Sequence, residues 1–290
     1  MSKLTHLKAY FKHFKNPISC LLFKFGYKKE VTVKFRYYDE EIKIAHLGTL
    51  NKAVETLLSN PTDDDFIPFL KDLESGKEII TVKHGIKIIS PTVNRLNNSF
   101  GEYYSDYYSN FDINYKDRVI IDIGANCGDT ALFFASEGSK VFAFEPVKEY
   151  YDIALKNLDL NPDLSKNIEM FNYAVSYKKG KLNIDAMDSV SSYINENDSY
   201  EIEVIPIKDI IKNVQPDLLK MDCEGCEYEI IENSDLSMFN ELIFEYHPYL
   251  VGKDYKILVD KLEKEGFKIE INSVIQRSID EIGIIHAVKL

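Results

Sequence analysis

The residues best placed to do chemistry are acids that end short apolar runs. Val119-Ile120-Ile121-Asp122-Ile123 leads into Gly124-Ala125-Asn126-Cys127-Gly128, and Asp129-Thr130 open a helix-like stretch. Glycines spaced Gly-x-x-x-Gly let the backbone turn sharply and let a ligand approach it closely. The helix start that follows offers N–H groups and the positive end of its dipole. Glu145, in Phe144-Glu145-Pro146, comes 23 positions after Asp122, near the spacing of about 20 at which an acid meets a ribose diol. The phosphate-binding Gly-x-Gly-x-x-Gly fingerprint is absent, and Asp122 before the turn would repel a pyrophosphate. An acid there can hold a cationic ligand, which favours S-adenosylmethionine, with its ammonium and sulfonium, over NAD. The plain alternative is a glycine turn that only joins strand to helix.

A second group follows the run Leu219-Lys220-Met221: Asp222-Cys223-Glu224-Gly225-Cys226-Glu227. A third is Glu245-Tyr246-His247-Pro248 after Leu242-Ile243-Phe244. Ligands of open α/β sheets bind outside the carboxyl ends of the strands, so these groups and the glycine turn should converge on one edge. A hydroxyl acceptor would need a base, and Asp222, Glu224 and His247 are the candidates; His247 has the natural pKa for it. Clustered oxygens would suit Mg²⁺ held by Asp222, Glu224 and an acceptor hydroxyl, although no metal is expected. Each residue also has a plain reading: Glu224 and Glu227 as acids favoured at a helix start, His247 as the end of a strand, Asp222 as a loop cap. Cys223-x-x-Cys226 has the form of a redox or metal motif, but with no second pair nearby the two cysteines read as packing residues.

The elements that must position these groups are those of a doubly wound α/β domain. Continuously apolar strands are expected at 119–121, 141–144, 168–172, 217–221 and 242–244, the pattern of strands buried on both faces. Helical segments alternate with them at 130–136, 148–158, 225–232 and 255–265. Residues 267–272 and 282–288 read as two strands joined by a loop, an antiparallel pair closing an otherwise parallel sheet. The first 99 residues form a separate, small α+β region: a strand over 31–38, helices near 50–58 and 66–73 separated by a break at Asn60-Pro61 with Asp capping the second helix, and a hairpin around His84-Gly85.

The segments Ile121 to Thr130, Val141 to Pro146, Asn172 to Ser176, Leu219 to Glu227 and Phe244 to His247 resemble, in order and spacing, the FkbM family of S-adenosylmethionine-dependent methyltransferases. The resemblance covers residues 100 to 250, and the Lys-x-Asp-x-Glu-Gly-x-Glu element is its most specific part. It implies a Rossmann-like class I methyltransferase domain over 100–290, and O-methylation of a sugar or other hydroxylated small molecule or glycoconjugate. Carried over by position, Asp122, Gly124, Asn126 and Gly128 line the methionine end of the cofactor, Glu145 holds the ribose, and Asn172 and Ala174 flank the adenine. Cys223 and Cys226 stand where the family commonly has plain apolar residues.

Composition narrows the rest. With 35 Lys and Arg against 47 Asp and Glu, the chain is a poor general binder of phosphate backbones, so no nucleic-acid partner is expected. Four cysteines are too sparse for a disulfide scaffold, and a reduced, cytoplasmic setting fits. No run approaches the roughly 20 apolar residues of a membrane span, and the Lys-interrupted start does not read as a secretory signal. Residues 1–30 hold seven Lys and one Glu, with apolar residues at helical steps. Residues 1–28 therefore suit either packing on the protein or peripheral contact with an anionic membrane, and Pro17 should interrupt a single long helix. An NAD-dependent oxidoreductase and a cofactor-binding interaction module without turnover are the competing functions. The sequence carries no signal for an oligomeric state.

Overall fold

The computed structural model describes residues 3–59, 66–89, 111–184, 200–273 and 278–289. The chain falls into two compact units, residues 1–110 and 111–290. The expected break at 60–65 lies outside the described residues, as does the expected boundary between residues 99 and 100.

The first unit contains α1 (Lys3–His13), α2 (Pro17–Lys24), β1 (Val31–Lys34), β2 (Glu41–Ile44), α3 (Leu47–Ser59), α4 (Phe66–Ser75), β3 (Ile79–Thr81) and β4 (Lys87–Ile89). Pro17 divides the N-terminal segment as expected. It occupies the first position of α2, where its missing N–H costs nothing. β1 and β2 pair antiparallel from Val31↔Ile44 to Lys34↔Glu41, with alternate residues buried. Tyr10, Phe14, Phe35 and Phe66 are buried, and Phe14, Phe35 and Phe66 meet edge to face. The hairpin around His84 is present as β3 and β4.

The second unit contains β5 (Val119–Ile123), α5 (Asp129–Ser136), β6 (Lys140–Phe144), α6 (Lys148–Leu160), α7 (Pro162–Ser165), β7 (Ile168–Phe171), β8 (Ala174–Ser176), β9 (Gly180–Ile184), β10 (Tyr200–Pro206), α8 (Ile207–Val214), β11 (Leu218–Met221), α9 (Cys226–Asn233), β12 (Glu241–Tyr246), α10 (Pro248–Val251), α11 (Lys256–Lys264), β13 (Phe267–Ser273) and β14 (Gly283–Lys289). Seven strands form one sheet in the order β13-β14-β12-β11-β5-β6-β7. β7, β6, β5, β11 and β12 are parallel, and β14 and β13 run antiparallel beside β12. This is the mostly parallel, antiparallel-ended sheet of the class I methyltransferase fold, with α-helical crossovers between its parallel strands. All residues of β11 and β12 are buried, which is why they read as unbroken apolar runs apart from Lys220, Glu241 and Glu245.

The order also says where a ligand belongs. From β5 the chain winds outward through β6 to β7, then returns to β11 on the other side of β5 and continues to β12. The crossovers diverge between β5 and β11, a topological switch point, and in sheets of this kind ligands bind outside the carboxyl ends at that place. A three-stranded sheet, β8-β10-β9, and α8 were not foreseen from the sequence.

Candidate functional site

The glycine turn is tied to its neighbours by backbone bonds. Gly124 and Ala125 donate N–H groups to the Phe144 carbonyl at 3.0 and 3.1 Å, and Asp222 donates its N–H to the Ile123 carbonyl at 2.9 Å. Gly124 has φ +77°, and a Cβ there would sit 1.9 Å from the Asp222 carbonyl oxygen. Glycine is therefore needed for the turn to lie against the strand end that carries Asp222. Gly128, also at positive φ, precedes α5, and a Cβ there would come within 3.1 Å of the Ala154 methyl. Asn126 adopts φ +47° and donates its N–H to Glu145 at 2.8 Å.

Glu145 stands at the carboxyl end of β6, almost fully buried. Its second oxygen accepts the Val147 N–H at 2.7 Å. Burial pushes its carboxyl up to about 7, although both backbone donors favour the ionised form. Asn172 donates to the carbonyls of Glu145 and Pro146 at 2.9 and 3.1 Å, bracing that strand end. Ala174 begins β8 and is buried.

Asp122 departs from its expected position facing a ligand. Its side chain is fully buried, with one oxygen 2.9 Å from the Lys220 ammonium and the other accepting the Thr130 hydroxyl at 2.6 Å. Asp122 and Lys220 are register partners on β5 and β11. The Lys220 ammonium also donates to the Gly124 carbonyl at 3.0 Å. This buried pair fastens the turn from beneath, and its charge is spent on Lys220. Asp129, at the start of α5, is buried as well, and desolvation raises its carboxyl to about 6.

The second cluster gathers beyond β11 and β12. Asp222 is partly exposed, and Glu224 is half exposed at φ +55°. Glu227, the second residue of α9, is fully buried and acts as the anchor. One oxygen accepts the Gly225 N–H at 2.9 Å. The other lies 3.1 Å from the His247 N–H and 3.0 Å from its Nδ1. His247 is itself buried, with Nε2 3.5 Å from Glu224. Burial disfavours its imidazolium, but the Glu227 hydrogen bond and the charges of Glu227, Glu224 and Asp222 outweigh that and lift the ring to about 9. His247 therefore carries a proton near neutral pH, which corrects the reading of it as a base of natural pKa. Burial raises Glu224, against the pull of His247. The packing reading of the cysteines is also corrected. Cys223 and Cys226 are joined in a disulfide, with Cα atoms 5.5 Å apart, while Cys20 and Cys127 are buried and not disulfide-bonded.

Lys220 and Glu227 are the site residues that sequence reasoning undervalued. Both stand in the Lys-x-Asp-x-Glu-Gly-x-Glu element, which was the available signal; what it did not reveal is the role of each, since an acid in the first helical turn is common.

A parallel sheet with antiparallel closure, a glycine turn at its switch point and an acidic cluster beside it define a Rossmann-like class I methyltransferase domain. A model of the FkbM methyltransferase domain matches residues 122–269, just over half of the chain. The chain belongs to the FkbM methyltransferase family. The methyltransferase sdnD of Sordaria araneosa is 25% identical over 197 residues, covering 54% of this chain and 71% of that protein. Among solved structures, the FkbM methyltransferase of Methylobacillus flagellatus KT has a TM-score of 0.44 at 14% identity, covering 84% of this chain and 56% of that one. A precorrin-6y C5,15-methyltransferase of Geobacter metallireducens GS-15 has a TM-score of 0.37 at 16% identity, covering 60% and 81%. Among the described residues, no helix is long and apolar enough to cross a membrane.

Proposed function

We propose that this methyltransferase takes its methyl group from S-adenosylmethionine and delivers it to a hydroxyl oxygen of a small molecule or glycan. The observation that carries the reading is the contact between the two halves of the site. The glycine turn lies directly against the main chain of Asp222, so a donor cradled by the turn and an acceptor at the acidic cluster would be neighbours.

The residues present fit the donor. Asn126, Gly124 and Gly128 shape the turn, and Glu145 offers its remaining lone pairs to a diol at the end of β6. Asn172 and Ala174 begin the next segment, where an adenine would lie. With Asp122 neutralised by Lys220, the negative charge at this edge comes from Glu145, Asp222 and Glu224, which suits a ligand that joins a diol to a cationic group. S-adenosylmethionine supplies an already activated methyl on a sulfonium. What remains for the protein is to align the acceptor, exclude water and take its proton. Asp222 and Glu224 are the acceptors of that proton. His247, held charged by Glu227, is better suited to orient Glu224 and the acceptor oxygen than to abstract a proton.

Calorimetric titration with S-adenosylmethionine and with NAD tests the donor. Heat with the first and none with the second is expected, and the reverse result would refute it. Transfer of labelled methyl to a cell extract, followed by mass spectrometry of the product, tests the acceptor. A carbon- or nitrogen-bound label would overturn the hydroxyl assignment.

A further inference from the structure

Asp222, Glu245 and His247 form a cluster that the methyl-transfer reading does not use as a unit. A carboxylate oxygen from each acid and a ring nitrogen of His247 all lie within 4.8 Å of one another. The grouping follows from the sheet. β11 and β12 are parallel with Met221 beside Phe244, so the next residues, Asp222 and Glu245, continue side by side, and His247 follows two positions on. Glu245 and His247 are both buried.

A separate feature prepares the imidazole. Glu227, from α9, holds Nδ1 at 3.0 Å and fixes the ring through the adjoining backbone N–H. That leaves Nε2 as the ring atom available to the cluster, with Glu224 3.5 Å from it. A carboxylate on the far nitrogen is the arrangement by which proteins fix the tautomer and direction of a metal-ligating histidine. Asp222, Glu224, Glu227 and Glu245 bring four carboxylates around one imidazole.

We propose that Asp222, Glu245 and the Nε2 atom of His247 bind a divalent cation, with Glu227 as the positioning residue for the imidazole. The donor set is two oxygens and one nitrogen. The neighbouring thiolate alternative is closed, because Cys223 and Cys226 are already bonded to each other. Carboxylates with one imidazole and no sulfur favour Mn²⁺ or Mg²⁺ over Zn²⁺ or copper. The cation takes the Nε2 lone pair, so Nε2 carries no proton while the cation is bound. Three protein ligands in an octahedral shell leave positions for acceptor oxygens. The cation's role, resting on the hydroxyl-methylation reading, is then to fix an acceptor with two adjacent oxygen donors and make its hydroxyl more acidic.

The test uses the full chain and Mn²⁺ alone, followed by the loss of the free-ion paramagnetic resonance signal on binding. One Mn²⁺ per chain is expected. Asp222→Asn and Glu245→Gln should each weaken binding at least about tenfold, and Glu227→Gln by about 10–100-fold, as loss of an orienting partner does. Asp222 is partly exposed, so Asp222→Asn decides the matter if the buried variants fail to fold. A Mn²⁺ signal undiminished by the wild type, or equal binding by wild type and Asp222→Asn, would overturn the site. Calorimetry of the same wild-type preparation with S-adenosylmethionine keeps the two ideas apart. Donor binding without Mn²⁺ binding refutes the cation site alone, and Mn²⁺ binding without donor binding refutes the donor assignment alone.

Discussion

Replacing Gly124 by alanine perturbs the site through two terms that can be separated. The first is conformational. At φ +77° a residue with a Cβ costs roughly 1–2 kcal/mol. The second is steric. The new Cβ would lie 1.9 Å from the Asp222 carbonyl oxygen and 2.7 Å from its carbon, about 1.5 and 0.7 Å short of the 3.4 Å at which ordinary contact begins. Neither atom is a flexible side-chain end. Asp222 is held by its N–H to Ile123, and the turn by Phe144 and Lys220. Forcing such packed groups apart costs a further ~1–3 kcal/mol. The total is about 2–5 kcal/mol, or about 4–20 °C in melting temperature for a unit of this size. Gly266 provides the control, with φ +88° and nothing within 4 Å of the place a Cβ would take, so Gly266→Ala should show the conformational term alone. Scanning calorimetry of both variants, with donor titration of each, measures the difference. If Gly124→Ala melts no lower than Gly266→Ala, the close approach of turn and strand end is wrong.

Three further expectations follow from the same geometry. Because burial holds the Glu145 carboxyl up at about 7, its ionised, diol-accepting form fills in only as pH rises through that value. S-adenosylmethionine affinity should therefore strengthen from pH 6 to 8, by up to about tenfold per unit below the transition, and Glu145→Gln should flatten that rise; a wild-type profile already flat would remove Glu145 from the donor site. Asp222→Asn should lower turnover by ~10²–10⁴ while donor affinity measured by calorimetry stays within a few-fold, and full activity would clear Asp222 of any part in the reaction. Phe11 and Ile18 are exposed on the lysine-rich N-terminal helices and Phe25 just past the second, so the full chain should sediment with anionic liposomes and an Ile18→Glu, Phe25→Glu double variant should not; equal sedimentation of the two would exclude membrane contact through this segment.

The parallel strands were legible because burial on both faces leaves an apolar run, unbroken over three or more residues in β5, β6 and β12 and interrupted in β11 at Lys220. β9 and β10 were not, since Gly180–Ile184 and Tyr200–Pro206 mix charged and apolar residues as a half-exposed sheet does. The glycine turn could be placed from its spacing, but the reason for its first glycine could not. That reason is the Asp222 carbonyl, 98 residues away in sequence. Charge misled in a specific way. Asp122 read as a ligand group because its counter-charge, Lys220, stood in a distant segment, and only the register of β5 against β11 brings them together. His247 was visible as a titratable residue at a strand end. Its protonation depends on Glu227, which lies 20 residues earlier and meets it only because α9 packs beside the end of β12. The cysteine pair was seen as a motif, yet bonding requires a loop that turns back on itself through the left-handed Glu224 and Gly225, and sequence does not reveal that.

The antiparallel end of the sheet has a consequence for the order in which the molecule is assembled. β12 carries Glu245 and leads to His247, and its second neighbour is β14, residues 283–289. During synthesis, the donor side, from β5 to β7, can pair well over a hundred residues before that neighbour has been made. The acceptor side keeps an open edge until then, and the strand that closes it spans a sequence separation of about forty residues, a slow and aggregation-exposed kind of pairing. A newly made chain would thus pass through a stage in which its glycine turn is framed but the strand bearing its acidic cluster is still unpaired on one side.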